Sequence, residues 1–400
     1  MNFRLSAAMK PVPVILLCLA FPWCVRSAES SFPPEAALLA HWLAGQQYSQ
    51  AGLPGYGGLR IGNGVAATNA NGTPYYRISP YAANLGVLGL LRIGAPGCVH
   101  VAELWIDWYF AHLNAPSAPE GVPDDCFYTA DGDGETTCVK PGDRRLCHCN
   151  DATDSAAATF FSVLWAAHRA GAPVTTFDTP QRRRQLENLV NALLKLQQPD
   201  GLCWAKSDYQ VKYLEDNSEV FAGLRALADL EREAFNDSGR SAFYRAAARR
   251  VQAGIFKELY DPRTKLFRIA KFEDGRCAPA NLDLWYPDTQ AQAWPCLFGV
   301  MPPTDPRARA VMAAVNAHWP GGARPDWAAH PEQVDQGWIE AANAAAALRA
   351  GETNRVRVYV QAVKRLKFPT AAGQPGFAWP FSVADAGWLL QILAPPPTDR

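Results

Sequence analysis

Apolar residues recur at helical spacing along most of this 400-residue chain. Positions i, i+3, i+4 and i+7 are apolar in twelve successive segments, a pattern typical of helices that bury one face. Strand-like stretches such as YYRI at 75–78 are short and fall between these segments. The pattern predicts an all-α protein with helices near residues 35–48, 81–93, 99–113, 153–170, 180–197, 217–232, 240–258, 288–300, 305–318, 334–350, 354–368 and 383–393.

The links between the predicted helices alternate in length. Links after even-numbered helices are short, as in GAPG at 94–97, whereas links after odd-numbered helices run over segments such as 49–80, 114–152 and 259–287. If consecutive helices are antiparallel, this alternation places every long connection on one face. Long loops are uncommon in compact domains unless they carry function. The even-numbered helices are therefore expected to begin at a face built from functional loops.

The first 27 residues have the layout of a secretory signal peptide. Basic residues Arg4 and Lys10 precede an apolar run that two prolines interrupt, and small residues follow. The run is too short and too interrupted to span a membrane. We expect cleavage after Ser27 and a mature protein of residues 28–400 in the periplasm or outside the cell, with no later membrane span.

The charge balance argues against nucleic acid as a partner. The chain has 38 Lys and Arg residues against 38 Asp and Glu residues. Loss of residues 1–27 would remove three basic residues and no acidic one, which leaves a slightly acidic chain. A nucleic-acid-binding surface requires a basic patch, so we expect no such partner.

An even number of cysteines follows the predicted signal peptide. In an oxidising compartment this favours disulfides throughout, with a connectivity that the sequence leaves open. Oxidised cysteines are not metal ligands, and we expect no metal or other cofactor. Four of the eight fall in a Cys-rich loop predicted at 114–152; the full set is Cys98, Cys126, Cys138, Cys147, Cys149, Cys203, Cys277 and Cys296.

Six antiparallel helix pairs with alternating long and short links resemble the six-hairpin glycosidase superfamily, whose fold is an (α/α)6 toroid. The resemblance covers the whole predicted mature chain and implies a single toroidal domain over 28–400. It implies that the even-numbered helices form an inner ring whose amino-terminal ends line a substrate cleft. Small residues in DSAAATFFSVLWAA and EAANAAAALRA suit such crowded inner helices. Two conventional helical domains are the structural alternative.

Five of the six predicted inner helices carry an aspartate in or just before the first turn. Each acid alone is explained by capping and by the helix dipole. Glycoside hydrolysis, however, needs a protonated carboxyl at the leaving oxygen and an ionised carboxylate on the other side. We therefore predict Asp154, Asp216, Asp288 and Asp335 as catalytic candidates and Asp151 as a substrate contact.

Aromatic residues precede nearly every predicted inner helix. Flat rings on the face that also holds carboxylates favour platforms on which sugar rings stack. The further residues predicted to bind substrate are Tyr81, Trp204, Trp285, Tyr286, Asp326, Trp327 and Trp379.

The segment ATDS at 152–155 resembles the A-[ST]-D-x-D signature of family 8 glycoside hydrolases. This sequence differs from family 8 at two places. The second aspartate of the signature is Ser155 here, and the glutamate acid that the family carries at the start of the second helix is missing from SPYAAN at 79–84. The resemblance therefore leaves the general acid unassigned.

Together these features predict a monomeric glycoside hydrolase that inverts configuration on a poly- or oligosaccharide. Two alternatives remain open. A polysaccharide lyase on the same toroid would use Tyr209, Tyr213, Asn217 or His330 to remove a proton and neutralise a uronate. A glycan-binding or export protein would keep the toroid without catalysis.

Overall fold

The computed structural model describes residues 33–114, 121–143, 146–334, 338–368 and 377–394. The predicted signal peptide at 1–27 and the candidate Asp335 lie outside these residues.

Twelve α-helices account for about half of the described chain. The odd-numbered helices are α1 Pro34–Ala44, α3 Pro96–Ala111, α5 Pro180–Leu196, α7 Ser238–Gly254, α9 Pro306–His318 and α11 Thr353–Lys367. The even-numbered helices are α2 Pro80–Ile93, α4 Thr153–Arg169, α6 Leu214–Glu233, α8 Trp294–Leu297, α10 Ala341–Arg349 and α12 Val383–Leu393. The prediction of an all-α protein is confirmed. None of the described helices is long and apolar enough to cross a membrane.

The even-numbered helices form a closed ring. Each contacts the next in the order α2, α4, α6, α8, α10, α12, and α12 contacts α2 again. Small residues allow this crowding: a Cβ added to Gly223 of α6 would lie 2.3 Å from the carbonyl oxygen of Ala158 on α4, so only glycine fits at that contact. The predicted (α/α)6 toroid, with the even-numbered helices inside, is confirmed.

Short antiparallel strands lie in the long connections that follow odd-numbered helices. One sheet joins β1 Ala67–Thr68, β2 Pro74–Ile78 and β3 Cys126–Tyr128, with Ile78 opposite Cys126. The other two sheets are formed by β4 Val211–Tyr213 with β7 Ala270–Phe272 and β8 Cys277–Ala278, and by β5 Tyr260–Asp261 with β6 Leu266–Phe267. These strands fold the long connections over one end of the ring.

Two inner helices begin elsewhere than predicted. Helix α8 is short and follows a π-helical turn at Trp285–Thr289, because Pro287 and Pro295 interrupt a regular backbone ladder. Helix α10 begins at Ala341, preceded by Glu340 in the left-handed conformation (φ 42°, ψ 58°). A left-handed residue cannot continue a right-handed helix backwards, so Glu340 marks the start of the helix that was predicted at 334.

The expectation that all cysteines pair is wrong. A disulfide joins Cys138 to Cys147 within the Cys-rich loop. Thiols remain at Cys126, Cys149, Cys203, Cys277 and Cys296. Three of these, Cys126, Cys203 and Cys296, are buried and act as small apolar side chains that fill the core.

Candidate active site

Asp154, in the first turn of α4, is fully buried. Its Oδ1 accepts a hydrogen bond from the backbone N–H of Ser155 (2.8 Å), while its Oδ2 has no hydrogen-bond partner among the described residues. The N-cap position of α4 is Ala152, so Asp154 is not the capping residue. Burial and the negative charge of Asp216 raise the pKa of Asp154 well above its ordinary value. Capping therefore does not explain this acid.

Helix α6 carries three acids in its first two turns. Glu215 and Asp216 are half-buried, whereas Glu219 is 1% exposed. Burial and the charge of Asp151 raise the pKa of Asp216 to about 7, and burial and the charge of Asp216 raise the pKa of Glu219 to about 8. Tyr213 is the N-cap residue and has no side-chain capping bond. The acids therefore serve a purpose other than capping.

Glu215 of α6 and Glu340, which precedes α10, are close enough to interact electrostatically. Glu215 has a buried Oε1 without a hydrogen-bond partner in the described part of the chain. Burial and the charges of Asp216, Glu219 and Glu340 raise the pKa of Glu215 well above its ordinary value. The left-handed backbone of Glu340 costs on the order of 1 kcal/mol or more, and such conformations concentrate at functional sites. Acids of α4, α6 and α10 thus meet at the loop-covered end of the ring.

Exposed aromatic side chains surround these acids. Tyr286 is 59% exposed. It lies close enough to Glu215 for the charge of that carboxyl, followed by burial, to raise the pKa of the Tyr286 phenol. The Tyr209 and Tyr213 hydroxyls are 2.8 Å apart. Burial and Tyr209, followed by the charges of Asp216 and Asp151, raise the pKa of Tyr213. These tyrosines line the same space as the acids.

Trp379 lies over the backbone of Gly64, where an added Cβ would be 3.2 Å from the indole ring. The ring meets Trp338 edge-on at 5.6 Å between centroids and remains 49% exposed. One indole face is therefore available to a sugar.

Several predicted residues have other roles in the structure. Asp288 accepts a hydrogen bond from the backbone N–H of Asn281 (2.7 Å) and fixes the loop before α8. Asp326 pairs with Arg355 (3.0 Å). Trp285 is 4% and Trp327 1% exposed, so both rings belong to the core and offer no face to a sugar.

The other predicted residues remain near the loops. Trp204 is partly buried and packs against the core, Asp151 is exposed, and Tyr81 is half-buried with its hydroxyl bonded to Glu219 (2.6 Å). No group of three or more His, Cys, Asp or Glu side chains in the described ranges is arranged to hold a metal ion.

Sequence reasoning missed Glu215, Glu219 and Glu340. Glu215 and Glu219 stand in LEDNSE at 214–219, where only the aspartate is predicted as a candidate. Glu340 directly precedes the alanine-rich run of α10. Placing the helix start at that run would have identified Glu340.

No protein-family model matches the chain, and no curated protein matches it. Solved structures do match. A wild-type glycosidase covers 89% of this chain and 94% of its own, with a TM-score of 0.55 and 14% identity. An α-amylase from Clostridium perfringens covers 89% and 98% (TM-score 0.53, 10% identity), and a cold-adapted family 8 xylanase covers 93% of both chains (TM-score 0.54, 9% identity). The chain therefore has the six-hairpin toroidal fold of these glycosidase structures.

Proposed function

We propose that the protein is a glycoside hydrolase that cleaves a poly- or oligosaccharide with inversion, in the periplasm or outside the cell. One observation carries the proposal. Carboxyl groups from α4, α6 and α10 influence one another at the loop-covered end of the ring, and burial raises the pKa values of several of them, which favours the protonated form. Hydrolysis of a glycosidic bond requires such a pairing of a neutral and an ionised carboxyl.

Glu215 is the proposed general acid. It is half-buried, and its buried Oε1 is not engaged by any other described residue. Burial and the surrounding negative charges raise the pKa of Glu215, which favours its protonated form. That proton is available to the oxygen of the leaving sugar.

Glu340 is the proposed general base. It stands at the start of α10, and α8 separates α10 from α6 in the ring. An inverting reaction needs room for a water molecule between the two carboxyl groups, which are then about 6.5–9.5 Å apart. Acids on non-adjacent inner helices suit that requirement. Asp335, which precedes Glu340 in the chain, stays a predicted candidate for the same role.

Asp151 and Asp216 support the acid rather than replace it in this proposal, and Asp154 is a neighbour of Asp216. The negative charges of Asp216 and Asp151 favour the protonated form of Glu215. Asp151 is exposed and can accept hydrogen bonds from sugar hydroxyl groups.

The lyase alternative receives less support. The Asn217 amide is already bonded to Cys203 and to the carbonyl of Tyr213, so it is not available to a uronate. A tyrosine base should have a lowered pKa, whereas burial and neighbouring groups raise the pKa of Tyr213. A negatively charged polymer would also meet the acids of α6.

The test is a panel of neutral, uronate-containing and amino-sugar polymers incubated with the purified chain, followed by assays of reducing ends and of unsaturated products. We expect Glu215→Gln and Glu340→Gln each to lower turnover by a factor of about 10² or more, because general acid–base assistance contributes about 10²–10⁴-fold. Glu103→Gln, at a partly exposed site on the outer helix α3, is the matched control. Proton NMR of the first product formed reports its anomer.

Three outcomes would contradict the proposal. Unsaturated products would identify a lyase, and binding without cleavage would identify a glycan-binding protein. Turnover within about threefold of wild type in both glutamine variants would move catalysis to other acids.

A further inference from the structure

Glu219 connects three helices of the inner ring through a single oxygen atom. Its Oε1 accepts hydrogen bonds from the Tyr81 hydroxyl of α2 (2.6 Å) and from Trp294 Nε1 of α8 (3.1 Å). Glutamine would accept the same two hydrogen bonds without the cost of burying an ionisable group. Glutamine at this position would therefore keep the link between the helices, whereas an apolar residue would remove it.

The bond to Glu219 fixes the chemical character of Tyr81. A phenol has one proton to donate, and Tyr81 directs that proton to Glu219. Tyr81 is half-buried in the first turn of α2, whereas Glu219 is buried on α6. The part of the Tyr81 oxygen that faces away from Glu219 can therefore only accept a hydrogen bond.

We propose that Glu219 is a positioning residue that orients Tyr81, so that the Tyr81 oxygen accepts a hydrogen bond from a hydroxyl group of the bound sugar. This inference rests on the proposed function. It assigns Tyr81 a defined role in the first turn of α2, and it makes a sugar hydroxyl at that point a requirement for good binding.

The charge state of Glu219 fits this role. The charged groups that act on it are Asp216 and Asp151, and together with burial they raise the pKa of Glu219 to about 8. Glu219 is therefore neutral below about pH 8. This range includes the neutral pH at which Glu215, as general acid, has to hold its proton. A neutral carboxyl adds no negative charge next to the proposed general acid, and its Oε1 still accepts both hydrogen bonds.

A double-mutant cycle tests the inference on an oligosaccharide that the wild type cleaves. Glu219→Leu and Tyr81→Phe should each lower kcat/KM by about tenfold or more, mainly through KM. The double variant should lose at most about threefold beyond Tyr81→Phe alone, because both changes remove one interaction. Glu219→Gln should recover most of the loss seen in Glu219→Leu. The inference would be overturned if the losses of the two single variants multiplied in the double variant. It would also be overturned if a folded Glu219→Gln variant recovered no activity.

A second measurement does not depend on turnover. Isothermal calorimetry should show oligosaccharide binding weakened by similar factors in Tyr81→Phe and Glu219→Leu. Indole fluorescence should change near pH 8 in the wild type as Glu219 ionises next to Trp294, and this change should be absent in Glu219→Gln and in Trp294→Phe. If the wild type binds but cleaves nothing, the proposed function fails while these results still support the positioning role. Unchanged binding in both variants overturns it.

Discussion

At the scale of single residues, hydrogen bonds distinguish an acid that caps a helix from one that serves a site. Asp385 is a cap: it forms a reciprocal capping box with Ser382 at the start of α12. Asp154 has one oxygen bonded to Ser155 and the other buried without a partner in the described chain. Asp216 is half-buried near it, and its charge raises the pKa of Asp154. Asp154 and Asp216 therefore belong to the candidate site.

Asparagine at positions 154 and 216 tests whether the two carboxyl groups contribute to stability or to catalysis. An asparagine side chain can accept the Ser155 N–H bond, so Asp154→Asn should keep the Tm within about 3 °C at pH 6; Asp216→Asn should do the same. At least one of the two variants should lose about tenfold in turnover, because an amide supplies none of the negative charge that favours the protonated form of Glu215. Thermal melts and initial rates provide the measurement. Turnover within about threefold of wild type in both variants would show that these acids have only a structural role.

At the scale of elements, the loops before the inner helices place aromatic rings in two different environments. Trp285 packs against Trp319 at 5.4 Å between ring centroids and is almost fully buried. Trp379 precedes α12, lies over Gly64 and keeps one face exposed. Tryptophans in the segments before inner helices therefore give a core residue in one case and a candidate platform in the other.

Alanine at the two tryptophans should give opposite results. Trp379→Ala should weaken binding of an oligosaccharide by about tenfold, since a stacked aromatic ring contributes roughly 1 kcal/mol or more, and should leave the Tm within a few degrees. Trp285→Ala should destabilise the fold by about 3–5 kcal/mol, because it removes a large side chain from the core. Calorimetry and thermal melts test both expectations. A sharp fall in Tm for Trp379→Ala would remove it from the binding surface.

At the scale of the whole molecule, closure of the ring gathers acids that would repel one another if all were ionised. Burial and mutual repulsion raise the pKa of Asp216 to about 7 and that of Glu219 to about 8. The folded chain consequently binds protons that the unfolded chain releases near pH 4. The stability from these protons is fully present below the unfolded pKa values, and it is lost as the pH rises through 7 and 8.

The pH dependence of unfolding follows from this linkage. We expect the wild-type Tm to fall between pH 5 and pH 8, and to fall less in the Asp216→Asn/Glu219→Gln double variant, which lacks both titrating groups. Glu103→Gln should retain the wild-type fall. Thermal melts monitored by circular dichroism at the two pH values provide the comparison. An identical fall in the double variant would show that these acids titrate normally in the folded state.

The sequence by itself determined the helices and their arrangement. Helical periodicity depends on residues within four positions of one another, so it can be recognised without knowledge of the fold. Alternating link lengths then predicted at which end the loops gather, and the resemblance to six-hairpin glycosidases implied that the even-numbered helices lie inside. The ring of α2 to α12 confirms that these helices lie inside. Periodicity failed at α8 and α10, where prolines and the left-handed Glu340 set the helix boundaries.

Tertiary structure decided which acids and rings share the site. A carboxyl acquires a raised pKa only when neighbouring helices bury it and place other charges next to it, and no local pattern encodes those neighbours. Asp288 and Asp326 lie in the segments that precede inner helices, yet they bind a loop backbone and Arg355. Glu340 joins Glu215 because the ring returns α10 to the same end as α6. Which acids share the site therefore depends on long-range packing, which exists only in the folded chain.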